Sequence, residues 1–264
     1  SKALGYSDLY LDYLAGKSPA RDFYLAHDPG VVARRIDQVK YHRPRLVEIL
    51  NRQNTAFGVD RNAIESINSL AQPDTLCVFA GQQAGLFTGP MLVLVKALAI
   101  VKIAEAYSAQ LKRRVIPIFW IAGDDHDFDE IAGTWILDRQ SQLMELRYGT
   151  RPATEVPAGE MALADTAELD RLKQLYREAL GQTDFTDRLY NLIDNAYRPG
   201  ETFVSAFGTL MAGLTAGTGL AFFNPCDAEA KALAVPFFEK VIDLQPSIHQ
   251  TLSESNRAIV SAGY

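Results

Sequence analysis

Two short apolar runs, joined by one long helix-forming stretch, constrain this chain more than any other feature. The first run, Thr75-Leu76-Cys77-Val78-Phe79-Ala80, is bounded by Pro73 and Gly81, which suits a buried strand. A glycine-punctuated turn follows, Gly81-Gln82-Gln83-Ala84-Gly85-Leu86-Phe87-Thr88-Gly89-Pro90. Pro90 fits the first turn of a helix, with Thr88 or Gly89 as its cap. Residues 91–112 contain no Gly or Pro and are apolar around most of their circumference, so they read as one helix. The second run, Val115-Ile116-Pro117-Ile118-Phe119-Trp120-Ile121-Ala122, leads straight into Gly123-Asp124-Asp125-His126-Asp127-Phe128-Asp129-Glu130. Strand, tight loop, helix, strand and acidic loop make a βαβ unit, and a right-handed crossover sets its strands parallel. Both loops then open at the carboxyl end of the sheet, where a glycine loop and a carboxylate–imidazole cluster face one crevice.

Composition narrows the partners. At 264 residues and 48 % hydrophobic, the chain can bury a sizeable core, and one large domain with insertions is expected. The net charge of −6 disfavours a nucleic-acid backbone or an anionic membrane as partner. Two cysteines, Cys77 and Cys226, cannot build a disulfide framework, and a reducing cytoplasm fits. Cys77 lies mid-strand and reads as a small buried hydrophobe. Lys96 and Lys102 interrupt the apolar stretch at 91–106, which reads as a covered core helix rather than a membrane span. The first ten residues are mixed in polarity, so no secretory signal is expected.

By pattern the chain divides into a helical layer at 1–70, the βαβ core with both loops at 71–137, a connecting insertion at 138–200, and a core helix and strand followed by a long helix at 201–264. In the first part, short helices are expected at 8–14 and 61–70. Between them, residues 31–51 form a helical pattern that Pro44 should end or kink. Residues 134–137 and 143–148 read as an antiparallel pair around a polar turn, and 149–159 as a loop. Residues 166–180 and 186–197 read as amphipathic helices, and 202–215 as a helix buried all round. A third core strand at 219–223 ends in Asn224-Pro225-Cys226-Asp227. The remainder is helical, with bends expected at Pro236 and Pro246. Three strands are few for an α/β sheet, so the chain is expected to be the N-terminal part of a longer protein.

The glycine loop has neither Gly-x-Gly-x-x-Gly nor the Gly-Lys-Ser/Thr ending of a P-loop. Its backbone N–H groups at a helix start still offer a seat for phosphate or carboxylate, with Gln82 and Gln83 adding amides. The alternative is a tight turn with satisfied glutamines. In the acidic loop, crowded like charges are expected to raise carboxylate pKa values, and anionic neighbours to hold His126 protonated. His126 can then act as general acid or base, oriented by Asp125 or Asp127. The alternative is that Asp127 and its neighbours simply cap a helix beginning at Phe128. Asp and His also ligate metals, but His27, His42 and His249 have no ligand-like spacing to His126, and nothing requires a metal. No Gly-x-Ser-x-Gly elbow or cysteine–histidine pairing supports covalent catalysis. Lys96 either reaches an anion from below or snorkels from a buried face.

The glycine loop, together with Pro117-Ile118-Phe119-Trp120-Ile121-Ala122-Gly123-Asp124-Asp125-His126-Asp127, closely resembles the cysteine-adding enzymes of bacillithiol biosynthesis, the BshC family. The resemblance runs through the Leu220 strand with Asn224 and Asp227 to Ala262-Gly263-Tyr264, and covers the N-terminal half of such an enzyme. Asp124 stands where the family usually has Glu, which keeps the charge and shortens the reach. The resemblance implies a Rossmann-like parallel-sheet core, akin to class I nucleotidyltransferases and aminoacyl-tRNA synthetases, with helical insertions. It further implies a downstream coiled coil, before or within which this chain stops, and a homodimer for the full-length protein. The implied reaction is amide formation between the carboxyl of L-cysteine and the amino group of glucosaminyl-malate, giving a low-molecular-weight thiol. ATP, ADP or another nucleotide is the candidate cofactor. On these residues the catalytic candidates are His126, Asp125 and Asp127. Gly81, Gln82, Gln83, Gly85, Thr88, Gly89, Lys96, Trp120, Asp124 and Asn224 are the substrate- and anion-binding candidates. A metal-dependent phosphoesterase or nucleotidyltransferase, and a ligand-binding fragment inactive without its C-terminal half, are the competing readings.

Overall fold

The computed structural model describes residues 4–24, 28–40 and 42–264; His27 lies outside the described residues. The chain forms two compact units, one of residues 1–41 with 233–264 and one of residues 42–232. It opens with α1 (Asp8–Leu14) and α2 (Pro29–Ile36), then enters the larger unit with α3 (Arg43–Phe57) and α4 (Arg61–Ser69). The βαβ unit follows as β1 (Leu76–Gln82), α5 (Met91–Leu111) and β2 (Val115–Ile121). A short α6 (Phe128–Ile131) leads into the hairpin of β3 (Gly133–Leu137) and β4 (Leu143–Arg147). After α7 (Thr166–Leu180), α8 (Thr186–Ala196) and α9 (Phe203–Leu214) comes β5 (Ala221–Phe223), and α10 (Ala228–Asp243) and α11 (Gln245–Ser261) close the chain.

The core is the expected one. Strands β1, β2 and β5 form one parallel sheet in that order, with β1 paired to β2 from Leu76↔Val115 to Gln82↔Ile121. This is an α/β, Rossmann-like arrangement, and β3–β4 is a separate antiparallel pair. Side chains alternate across the sheet. Val78, Ala80, Phe119, Ile121 and Phe222 join Val93, Ala97, Ile100 and Val101 of α5 and Phe203, Phe207 and Leu210 of α9 in the main core. Ile116, Ile118 and Ala221 pack on the other face against Leu50, Ile67 and Leu70. Phe119, Phe207 and Phe222 are fully buried, each contributing roughly 1.5–3 kcal/mol through area removed from water. Helix α9 is apolar on all sides and starts with a capping box between Thr202 and Ser205.

Five local expectations change. Helix α5 packs through one face only; Leu92, Val95, Leu98 and Ile103 are exposed, because an all-round apolar composition does not decide which side meets the sheet. Even so, no helix among the described residues is long and apolar enough to cross a membrane. Cys77 is exposed, on the face of β1 opposite Val78 and Ala80, though protein crowds it closely enough for desolvation to hold its thiol above the ordinary range. Pro44 starts α3 instead of ending a helix, since the first turn needs no proline N–H. Pro246 likewise begins α11, while Pro236 lies within α10. At α5 the cap is Pro90 itself, without a side-chain hydrogen bond from Thr88 or a role for Gly89.

The free side of β5 is closed by side chains rather than by a strand. Asn54 Oδ1 accepts the Phe222 N–H at 2.8 Å, and Asn54 Nδ2 donates to Phe222 O at 2.7 Å and Leu50 O at 2.8 Å. Gln53 repeats the pattern at Asn224, accepting its N–H at 2.9 Å and donating to its carbonyl at 3.0 Å. Asn54 is fully buried. Asn54→Leu keeps the branch at Cγ but orphans a buried N–H and a buried C=O, each costing about 1–3 kcal/mol. Urea melts should therefore show at least about 2 kcal/mol of lost stability; a loss inside the error of a surface substitution would mean that β5 does not need this cap.

Candidate functional site

The glycine loop begins as strand. Gly81 and Gln82 still pair with Trp120 and Ile121, and a Cβ on Gly81 would lie 2.9 Å from the Trp120 carbonyl oxygen. Beyond Gly85 the backbone turns through left-handed conformations at Phe87 (φ 50°), Thr88 (φ 76°) and Gly89 (φ 68°). Two consecutive non-glycine residues there are strained and persist only where surroundings fix them. Tyr197, just past α8, provides that support. It is completely buried, and its hydroxyl donates to Gly85 O at 3.3 Å. The Phe87 ring stands edge-on to Tyr197 and Tyr176, at 4.8 and 5.3 Å. Burial pushes the Tyr197 phenol far above its usual range. The N–H groups of Gly85, Thr88 and Gly89 donate to carbonyls within the loop.

Lys96 of α5 does not reach outward for an anion; it donates to Gly81 O at 3.0 Å and Gln82 Oε1 at 2.8 Å. Gln82 Nε2 donates to Gln83 Oε1 at 2.8 Å, and Gln83 Nε2 to Asp125 Oδ2 at 3.2 Å. The glycine loop and the acidic loop are thus bonded together through Gln83 and Asp125. Asp125 Oδ1 also accepts the N–H groups of His126 and Asp127 at 2.7 and 3.2 Å. These bonds, the one from Gln83 foremost, hold the Asp125 carboxyl below the ordinary carboxylate range. Crowding was expected to raise it; hydrogen bonds to the ionised form outweigh the desolvation that opposes them.

The other acidic-loop residues separate. His126 has a side chain 70 % exposed, with Nδ1 4.0 Å from Asp125 Oδ1. Asp127 caps α6 by accepting the Glu130 N–H at 3.1 Å. Asp124 pairs with Lys231 at 3.2 Å, and the same ammonium lies 3.7 Å from Cys226 Sγ. Asn224 Oδ1 accepts the Cys226 N–H at 3.0 Å and sits where a Cβ on Gly123 would be, 2.4 Å away. Trp120 projects from the opposite face of the sheet to Gln82 and lies against Phe223 at 4.9 Å. Among the described residues, no three His, Cys, Asp or Glu side chains converge as a metal-binding group.

A cavity of about 360 Å³ opens beside the glycine loop. Gln82, Gln83, Gly85, Thr88 and Gly89 form one wall, and Asp129 and Glu130 of α6 a second. The hairpin supplies the third through Thr134, Trp135, Glu145 and Arg147. Arg147 is held by Glu145 Oε1, 2.8 Å from one terminal nitrogen and 2.9 Å from Nε. Asp129 pairs with Arg151 at 2.7 Å. The lining therefore holds three carboxylates against one guanidinium. Asp125, His126 and Asp127 are not among the residues that line the cavity; Gln83, which is, hydrogen-bonds Asp125. Trp135, Glu145, Arg147, Tyr197 and Lys231 were not among the expected site residues; only Trp135, exposed on a short strand after the acidic loop, carries a sequence signal.

Comparison with known proteins identifies the family. The family model described as Bacillithiol biosynthesis BshC, N-terminal Rossmann-like domain, matches residues 2–264. A Salinibacter ruber protein named "Putative cysteine ligase BshC" is 34 % identical over 99 % of this chain and 49 % of its own length. Proteins of the same name from Bacillus cereus (strain B4264) and Bacillus anthracis (strain CDC 684 / NRRL 3495) are 28 and 29 % identical, over 96 % of this chain and 47 % of theirs. The chain spans about half the length of these curated relatives.

The depressed Asp125 carboxyl has a signed consequence. Its folded state favours the ionised form, so its stabilisation is complete above the unfolded value of about 3.9 and is lost as pH falls through the lower folded value. The melting-temperature gap between wild type and Asp125→Asn should be full from about pH 5 upward and close as pH falls below about 4. A gap independent of pH would show that Asp125 is not held this way.

Proposed function

Because the chain belongs to the BshC family through its N-terminal Rossmann-like domain, we propose that it carries active-site groups of a cysteine ligase. The reaction joins the carboxyl of L-cysteine to the amino group of glucosaminyl-malate. The observation that carries this reading is the bond from Gln83 to Asp125, which ties a ligand-sized cavity to a loop bearing an ionised carboxylate and an open imidazole.

An amine arrives at neutral pH as an ammonium and must lose a proton before its nitrogen can attack. His126 is the acceptor in this reading, within reach of solvent and beside Asp125, which stays ionised and stabilises the imidazolium that forms. Attack forms the C–N bond, the nitrogen passes its second proton to solvent, and the acyl C–O bond that breaks would release its oxygen on a group that activates the carboxyl, for which a nucleotide is the candidate. With three carboxylates against one arginine in its lining, the cavity suits the ammonium end of the acceptor better than its malate end. The glycine-loop N–H groups, bonded within the loop at Gly85, Thr88 and Gly89, point the same way. Trp135 offers a flat wall for a sugar ring. Asp127 acts through the loop backbone that it caps, and Asp124 through Lys231.

In the ligase at its relatives' full length, His126→Ala and His126→Gln should each lower kcat by about a hundredfold, with little change in melting temperature. Trp135→Ala should raise KM for glucosaminyl-malate and leave KM for cysteine near wild type. Wild-type turnover in a folded His126→Gln enzyme would remove His126 as the proton acceptor.

A further inference from the structure

We propose that Lys96 is a positioning residue: through the side-chain amides of Gln82 and Gln83 it sets the orientation of the Asp125 carboxylate. The geometry is a chain of donors and acceptors, Lys96 Nζ to Gln82 Oε1 at 2.8 Å, Gln82 Nε2 to Gln83 Oε1 at 2.8 Å, and Gln83 Nε2 to Asp125 Oδ2 at 3.2 Å. Its direction is fixed by its two ends. An ammonium can only donate and an ionised carboxylate can only accept. Each glutamine between them must therefore turn its oxygen toward Lys96 and its nitrogen toward Asp125. Flipping Gln82 would set N–H against N–H on one side and oxygen against oxygen on the other, losing two bonds at once.

The surroundings of Lys96 support this role. It is half-buried, no Asp or Glu among the described residues lies within ion-pair distance of it, and its acceptors are two neutral oxygens. Holding an ammonium partly out of water with only neutral partners is costly. Two aligned amides leading to a carboxylate recover part of that cost, since hydrogen bonds in series polarise one another. The far end is equally constrained. Asp125 Oδ1 is occupied by the His126 and Asp127 N–H groups, and the Asp125 carbonyl accepts the Ala158 N–H at 2.7 Å. Gln83 is thus the side-chain partner that decides where Oδ2 points. The ionisable groups around Asp125 are the His126 imidazole, Asp127 at the start of α6, and the Asp124–Lys231 pair on the β5 side.

This inference rests on the proposed function only for its consequence in catalysis; the coupling itself is measured without turnover. The experiment is a carbon-13 NMR titration of the Asp125 carboxyl in the full chain, comparing wild type with Gln83→Leu, Lys96→Met, Gln82→Leu and Lys96→Arg. Gln83→Leu, which removes the direct bond, should move the Asp125 pKa up toward the ordinary aspartate value. Lys96→Met and Gln82→Leu should move it in the same direction, although neither residue touches Asp125. Lys96→Arg, still a cationic donor, should leave it near wild type. If Lys96→Met does not fold, Gln82→Leu reads the same coupling. A Lys96→Met or Gln82→Leu titration that overlays wild type, or a Lys96→Arg shift as large as that of Lys96→Met, would overturn the proposal. In the full-length ligase, Lys96→Met should lower kcat by roughly tenfold or more through misplaced groups. An active Asp125→Asn enzyme with the titration shifts intact would remove the reaction reading and leave the coupling standing.

Discussion

The in-register parallel pairing of β1 with β2 decides where every candidate group sits. The ladder carries on to Gly81↔Trp120 and Gln82↔Ile121, so both strands end together and their loops leave from one edge. A slip of one residue would reverse the face on which each side chain lies. Gln82 would then turn away from Lys96 on α5, and the chain of amides to Asp125 would be broken at its start. Pairing also explains the glycine at position 81. With Trp120 directly opposite, its carbonyl oxygen 2.9 Å from where a Cβ would be, the backbone there has no room for a side chain.

Around this ladder, buried polar groups do much of the specifying. Asn54 and Gln53 stand in for a missing neighbour strand on β5, and Tyr197 supports the glycine loop through its bond to Gly85 O. Each is satisfied by backbone groups in one arrangement only, which costs stability when disturbed and holds the loops in a single conformation. The left-handed backbone at Phe87 and Thr88 is strain retained by that support. Lys96 extends the logic from the core to the crevice, since its ammonium leaves the glutamine amides no freedom of orientation.

The parts of this architecture that depend on local pattern were legible in the sequence. Apolar runs bounded by Pro73, Gly81 and Gly123 marked β1 and β2, and helical spacing marked α7 and α9 at nearly their observed limits. The parts that depend on distant partners were not. Nothing local to Trp135, Glu145 and Arg147 says that the hairpin lines a cavity with the glycine loop, and Lys231 meets Asp124 from more than a hundred residues away. Pro44 and Pro246 show a subtler limit, because one residue type serves both to stop and to start a helix. In the acidic loop, a count of charges suggested raised carboxyl pKa values, whereas three N–H donors to Asp125 decide the opposite sign.

The central claim is that the loops after β1 and β2 form one site joined at Gln83. Amide and side-chain NMR shifts on titrating this chain with glucosaminyl-malate test it most directly. The account predicts perturbations that cluster at Gln82, Gln83 and Gly89 on one wall, at Glu130 and the Trp135 indole on the others, and at Asp125 and His126 beyond Gln83, all saturating with one dissociation constant. Perturbations confined to other surfaces, or two clusters that saturate independently, would contradict it.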